Sequence, residues 1–288
     1  MELDRTLSAL TRHIPNYRGV SRLLAPIVSH YATQYQQSAN RQLIIDDFDG
    51  DLKLNVDRSG GMTQNLYWRG ISTYDELKAL LPFAKPQSVF LDIGANIGVF
   101  SLVMAKHLTE GHIAAFEPAK TNYDVLVKHQ MLNNFQHMTT YQFGLSDEDR
   151  ELTIYSNNPE NTSSFNASFY ASERFATAIE TCQLKTLDGI WPTLDLPRVD
   201  LVKIDTEGAE LTVLRGGEAT LAKYKPVILL ELVKAFYKNA GYTAEDLILF
   251  LKGIGYDKMS IVKRLGKLAP IAVEDLPETG NLIFEASS

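Results

Sequence analysis

Val89-Phe-Leu-Asp-Ile-Gly-Ala-Asn-Ile-Gly-Val-Phe-Ser101 is the stretch from which the rest of the chain can be read. Val89 to Ile93 is an apolar run of strand character that carries one acid, Asp92, near its end. Gly94 and Gly98 mark a turn, after which Val99, Phe100, Leu102, Val103, Met104 and Leu108 continue as a helical pattern. A strand, a glycine turn and a helix form a unit whose helix N-terminus offers unpaired backbone N–H groups and a positive dipole end to a ligand.

Outward from this stretch, strands and helices alternate. Strand 89–93 leads to a helix over 98–109, a strand over 112–117, a helix over 121–133 and a strand over 138–145. The rhythm lapses from about 146 to 198, where only 152–155 and 181–187 read as strands around the polar Ser156–Ser168 stretch. It resumes with a strand over 199–205, a helix over 208–215, the Val227–Glu231 strand and a helix over 243–254. Two closing strands near 257–263 and 280–285 predict an antiparallel edge on a parallel sheet with helices on both faces. Before the sheet, residues 1–38 are helical in tendency and 42–56 read as a hairpin around Asp49-Gly50-Asp51. This divides the chain into an extension, 1–72, and a main domain, 73–288, with an insertion at about 146–198.

The glycine turn is selective. A dinucleotide fingerprint needs glycine at 94, 96 and 99, where this chain has Gly94, Asn96 and Val99. A P-loop needs Gly-Lys-Ser/Thr, which does not follow. Both loops cradle phosphate, whereas here Asp92 precedes Gly94 at the strand end. Asp-x-Gly-x-x-x-Gly suits S-adenosylmethionine, which carries an ammonium, a carboxylate, a sulfonium and two ribose hydroxyls but no phosphate. The turn's N–H groups can take the carboxylate, and Asp92 the ammonium, directly or through water. Glu117 ends the second strand, where an acid accepts from ribose hydroxyls. Ser146 or Asp147, after the third strand, can meet the adenine amino group.

The fourth strand ends in Lys203-Ile-Asp-Thr-Glu-Gly-Ala-Glu210 and the fifth in Glu231. Asp205, Glu207 and Glu231 thereby converge on the edge that holds Asp92 and Glu117. Glu210 has a plainer role, stabilising the dipole of the helix it starts. Transfer of a methyl group from a sulfonium needs alignment above all, and an alcohol acceptor must also lose a proton. Asp205 is the first candidate for that base, with Glu207 and Glu231 behind it. A divalent cation held by the same carboxylates is the alternative.

Phe90–Ser101, Phe116-Glu-Pro118, Gly144–Asp147, Thr186-Leu-Asp188, Lys203–Glu210 and Glu231 together resemble the FkbM-type family. The resemblance covers about 43–262 and is most specific in Lys203–Glu210. It implies an α/β, Rossmann-like class I methyltransferase with a mostly parallel seven-stranded sheet, an antiparallel edge strand and the N-terminal extension. It implies O-methylation of a hydroxyl on a sugar, glycolipid or polyketide, with S-adenosylmethionine as cofactor and S-adenosylhomocysteine as product. On that basis cofactor binding falls to Asp92, Gly94, Ala95, Asn96, Gly98, Phe100, Ser101, Glu117, Pro118, Ser146, Asp147 and Asp205. Catalysis falls to Asp205, Glu207 and Glu231. A nucleic-acid or protein N-methyltransferase and a non-catalytic cofactor-binding scaffold are the competing readings; N-methylation of bases typically uses Asn/Asp-Pro-Pro-aromatic where this chain has Asp205-Thr-Glu-Gly.

Composition narrows partners. A net charge of −7 without a basic block argues against nucleic acid. No apolar run reaches the roughly 18 residues of a membrane span. The single Cys182 and the lack of a signal-peptide apolar segment predict a reducing, cytoplasmic setting. The N-terminal extension is a candidate surface for homo-oligomer contacts, or for a membrane surface. His107, His112, His129 and His137 read as surface or packing residues. Trp68 is a candidate lid, and Phe165, Phe169 and Tyr170 candidate walls of an acceptor pocket.

Overall fold

The computed structural model describes residues 2–14, 19–36, 38, 40–59, 61–156 and 167–287. Strands β1 (Gln42–Phe48) and β2 (Leu52–Asp57) form the expected antiparallel hairpin. β3 (Val89–Ile93) follows, and all its residues are buried. β4 (His112–Phe116) and β5 (Met138–Tyr141) run parallel beside it. β6 (Gly144–Leu145), β7 (Arg150–Ser156), β8 (Ala167–Ser168) and β9 (Thr177–Lys185) form a separate four-stranded sheet. β10 (Leu201–Ile204), β11 (Val227–Val233), β12 (Lys258–Val262), β13 (Leu268–Pro270) and β14 (Thr279–Glu285) complete the main sheet.

That main sheet has the order β13-β12-β14-β11-β10-β3-β4-β5. It holds eight strands rather than seven, the addition being the short β13 at the edge. The predicted antiparallel edge is present: β14, β12 and β13 pair antiparallel in turn, with β14 inside and β13 outermost. The fold is therefore α/β and mostly parallel. β3 has β4 on one side and β10 on the other, so the strand order reverses here and a crevice opens at the strands' carboxyl ends.

The expected single strand over 138–145 breaks in two. Phe116 stacks on Tyr141 at 5.0 Å, and Phe143 packs against both rings. Gly144 then steps into the second sheet at a point where a Cβ would lie 2.7 Å from the Leu184 side chain. The irregular insertion is thus largely a sheet, built on the β7–β9 pair. Phe165 and most of the polar Ser156–Ser168 stretch lie outside the described residues.

The N-terminal segment is packed on polar contacts. Helix α1 (Glu2–Arg12) leaves Leu3 and Leu10 exposed and buries Asp4, Ser8, Thr11 and Arg12. Asp4 accepts from Tyr35, Tyr67 and Arg58, so its burial is matched by partners. Trp68, in helix α2 (Gly61–Arg69), is 1% exposed and packs against Tyr31 and Tyr67. It is a core residue, not a lid. Phe48, Leu54 and Val56 of the hairpin share one core with Phe90, Leu102 and Ile113 of the sheet layer. Among the described residues no helix is long and apolar enough to cross a membrane.

His129, on helix α3 (Lys120–Asn133), ties this hairpin to the glycine turn. Its Nδ1 donates to the Ile97 carbonyl at 2.8 Å, and its Nε2 accepts from the Asn55 N–H at 2.9 Å. That arrangement needs the neutral ring, and burial lowers its pKa accordingly. His129→Phe is expected to cost about 1–3 kcal/mol in urea unfolding, because both backbone groups lose their partner. An unchanged midpoint would contradict the role.

Candidate active site

A cavity of about 200 Å³ opens at the carboxyl ends of β3, β4, β10 and β11. Of the expected site residues, Gly94, Ala95, Asn96, Phe100, Glu117, Pro118, Asp205, Glu207 and Glu231 line it. Asp92, Gly98, Ser101, Ser146 and Asp147 are not among its walls.

Asp92 is fully buried beneath the turn. Ser101 donates to it at 2.6 Å, and Lys203 Nζ lies 3.4 Å from its other oxygen. It anchors the strand end to the helix rather than facing the cavity. The turn above is equally constrained. Gly94 has φ +78°, and a Cβ there would stand 1.9 Å from the Asp205 carbonyl oxygen. Gly98 has φ +87° and begins the Val99–His107 helix, with Leu126 where its Cβ would be. Ser146 is buried and donates its backbone N–H to Lys185, whereas Asp147 is exposed.

Glu117 accepts from the Asn96 N–H at 2.8 Å and from the Ala119 N–H at 2.9 Å. The carboxyl is thus fixed against the glycine turn, with the Asn122 side chain as a third donor. Burial raises its pKa to about 7, against the lowering effect of those N–H groups. Phe169 and Ile154 bring the second sheet to this side of the cavity.

Across the cavity, Asp205, Glu207 and Glu231 present carboxylate oxygens within 4.8 Å of one another. Burial, and then the charge of Asp205, push Glu207 up to about 8 and Glu231 up to about 10. Glu207 sits at φ 52°, in the left-handed region, and Ser168 donates to its carbonyl at 2.8 Å. Glu210 does more than begin a helix. It is buried, accepts from the Thr206 N–H at 2.8 Å and the Gly208 N–H at 3.1 Å, and takes a bond from Tyr242. It holds the turn that carries Glu207.

Sequence reasoning assigned no role to Lys203, which faces Asp205 at 3.3 Å and donates to the Gly94 carbonyl at 2.9 Å. Burial opposes its charge, but Asp205 and Asp92 outweigh that and hold its pKa above the ordinary lysine value. The alternation of β10 is the signal that could have found it, since residues 203 and 205 point to one face. Met62, Tyr74 and Glu76 also line the cavity. Burial, joined by the nearby Asp205, lifts Glu76 to about 7. In sequence Glu76 is indistinguishable from an acid placed to favour a helix start.

A cavity at the switch point, a fixed acid on one wall and a carboxyl cluster with a buried lysine on the other can bind a cationic ligand and accept a proton. Residues 92–258 match the FkbM methyltransferase domain. The chain is similar to methyltransferase sdnD of Sordaria araneosa, with 35% identity over 158 residues, 46% of this chain and 61% of that protein. It is also similar to the hexuronic acid methyltransferase AglP of Haloferax volcanii, 26% identical over 160 residues, 54% of this chain and 60% of that one. Among solved structures, methyltransferase FkbM from Methylobacillus flagellatus KT aligns with a TM-score of 0.47 and 14% identity, covering 92% of this chain and 59% of that one. The chain spans about three-fifths of the length of the two relatives. With more than half of its residues matched, from the buried Asp92 to the first residue of β12, the chain belongs to the FkbM methyltransferase family.

Proposed function

We propose that the protein is an S-adenosylmethionine-dependent O-methyltransferase acting on a hydroxyl of a small molecule, with Asp205 as general base. The observation that carries this is the charge arrangement around Asp205. Glu207 and Glu231 hold protons at neutral pH, and Lys203 faces Asp205 at 3.3 Å. Asp205 is the member of the cluster left to take the acceptor's proton. The bound cofactor supplies a methyl group on a sulfonium, a leaving group that needs no acid catalyst. The protein's own part is to hold the ribose hydroxyls at Glu117, keep the turn at Gly94 open, and align and deprotonate the acceptor. One relative is named for a hexuronic acid, a sugar acid, which is compatible with a small hydroxylated acceptor here.

The 4.8 Å grouping of three carboxylates favours a second reading, in which a divalent cation orients the acceptor. Lys203 already supplies a counter-charge to Asp205, which supports the base reading over the cation. A labelled-methyl assay on hydroxylated sugars, glycolipids and polyketides, run with and without chelator, tests both. Transfer that survives the chelator supports the base, and transfer that stops and returns with added cation supports the metal. No transfer to any hydroxyl contradicts the O-methyltransferase reading.

The raised carboxyls give this site a pH signature. Without ligand, Glu117 and Glu76 lose their protons near pH 7. A cationic cofactor prefers them ionised, so its binding releases protons. Affinity for S-adenosylmethionine is expected to rise between about pH 6 and 8. The unliganded fold is expected to behave oppositely, losing stability over that range, because the folded state binds more protons than the unfolded one. Calorimetry in buffers of unequal ionisation enthalpy reads the release directly. Affinity that falls with rising pH would contradict it.

A further inference from the structure

We infer that Lys203 is the positioning residue for the methionine end of the cofactor, joining the glycine turn to Asp205 in one fixed geometry. The inference rests on the S-adenosylmethionine reading and goes beyond it to one half of that ligand. β10 runs beside β3 with Lys203 opposite Asp92, so the lysine reaches the turn from beneath. Its ammonium has three partners, one from each part of the site's centre: the Gly94 carbonyl at 2.9 Å, Asp205 at 3.3 Å and Asp92 at 3.4 Å. The side chain is 7% exposed and its Nζ lies 5.2 Å from the centre of the Phe100 ring. A buried ammonium so placed is a fixed point charge rather than a mobile surface lysine.

Among the described residues, Lys203 is the only Lys or Arg lining the cavity, whose other charged walls are Glu76, Glu117, Asp205, Glu207 and Glu231. The cofactor carries a single anionic group, the carboxylate of its amino-acid end. The Gly94 carbonyl, held in place by Lys203, is a backbone acceptor in the wall of that cavity. The adenosine half is held by different hydrogen bonds, since Glu117 accepts from the Asn96 and Ala119 N–H groups and feels Lys203 only through its charge, which Lys203→Arg retains. Loss of Lys203 therefore strikes one half of the ligand and spares the other.

The test is calorimetric titration with S-adenosylhomocysteine and with methylthioadenosine, which lacks the amino-acid end. In Lys203→Gln and Lys203→Arg, affinity for S-adenosylhomocysteine is expected to fall by about tenfold or more, while that for methylthioadenosine stays within about twofold. Lys203→Arg keeps the charge that buried Asp92 requires, so it remains informative where Lys203→Gln does not fold. Its planar guanidinium cannot reproduce three contacts about one point. A folded variant that loses both ligands alike, or variants that bind S-adenosylhomocysteine as the wild type does, overturn the inference alone. A wild-type protein that binds neither ligand contradicts the cofactor reading, and the inference with it.

Discussion

Asp205→Asn is expected to lower methyl transfer by about 10²–10⁴-fold while S-adenosylhomocysteine affinity stays within a few-fold of wild type. The substitution preserves volume and removes the proton acceptor. Neither neighbour replaces it at neutral pH, since Glu231 and Glu207 are raised to about 10 and about 8. Part of that elevation comes from Asp205 itself, so in the variant Glu207 should titrate lower. Some activity should therefore return as the pH rises, at a level below wild type. Initial rates across pH 6–9 read this. Undiminished turnover in the variant would remove Asp205 from the chemistry.

Gly94→Ala carries the second large effect. At φ +78° an L side chain costs about 1–2 kcal/mol, before any contact is counted. The new Cβ would also stand 1.9 Å from the Asp205 carbonyl oxygen, which is backbone and cannot swing aside. Overpacking of this kind adds about 1–3 kcal/mol. The strain falls on the turn and on the strand end that carries Asp205, so cofactor binding and stability should be lost together. Urea unfolding and calorimetry on one preparation show both. A variant of wild-type stability that still binds S-adenosylhomocysteine would contradict the close approach of β3 and β10.

The parallel sheet was legible because β3, β4 and β10 are buried apolar runs that end in Asp92, Glu117 and Asp205, each followed by a glycine, proline or polar turn. Hidden features were those set by tertiary contact. Asp92 reads as a ligand because it ends a strand, yet its partners Ser101 and Lys203 turn it into a support under the turn. Trp68 reads as a lid because it is a large aromatic in a polar stretch, and only packing with Tyr31 and Tyr67 shows it to be core. Helix α1 misleads most directly. Its Leu3 and Leu10 are exposed, and its polar face is buried because Arg58, Tyr35, Tyr67 and Asp47 supply distant partners. Glu76 joins the cavity from a helix start whose local pattern carries no sign of a ligand, and Lys203 from a buried strand whose alternation alone hinted at it. Strands at 152–155 and 181–187 were legible, but not that β7 and β9 pair with each other across the insertion and draw β6 out of the main sheet.

The cavity is proposed to hold S-adenosylmethionine with its ribose at Glu117. Titration of S-adenosylhomocysteine into wild type and Glu117→Ala tests it most directly. The wild type should bind one equivalent, and the variant should be weaker by about tenfold to a hundredfold, the cost of losing hydrogen bonds to a charged acceptor. Binding of equal strength in the two proteins, or no heat with the wild type, would contradict the account.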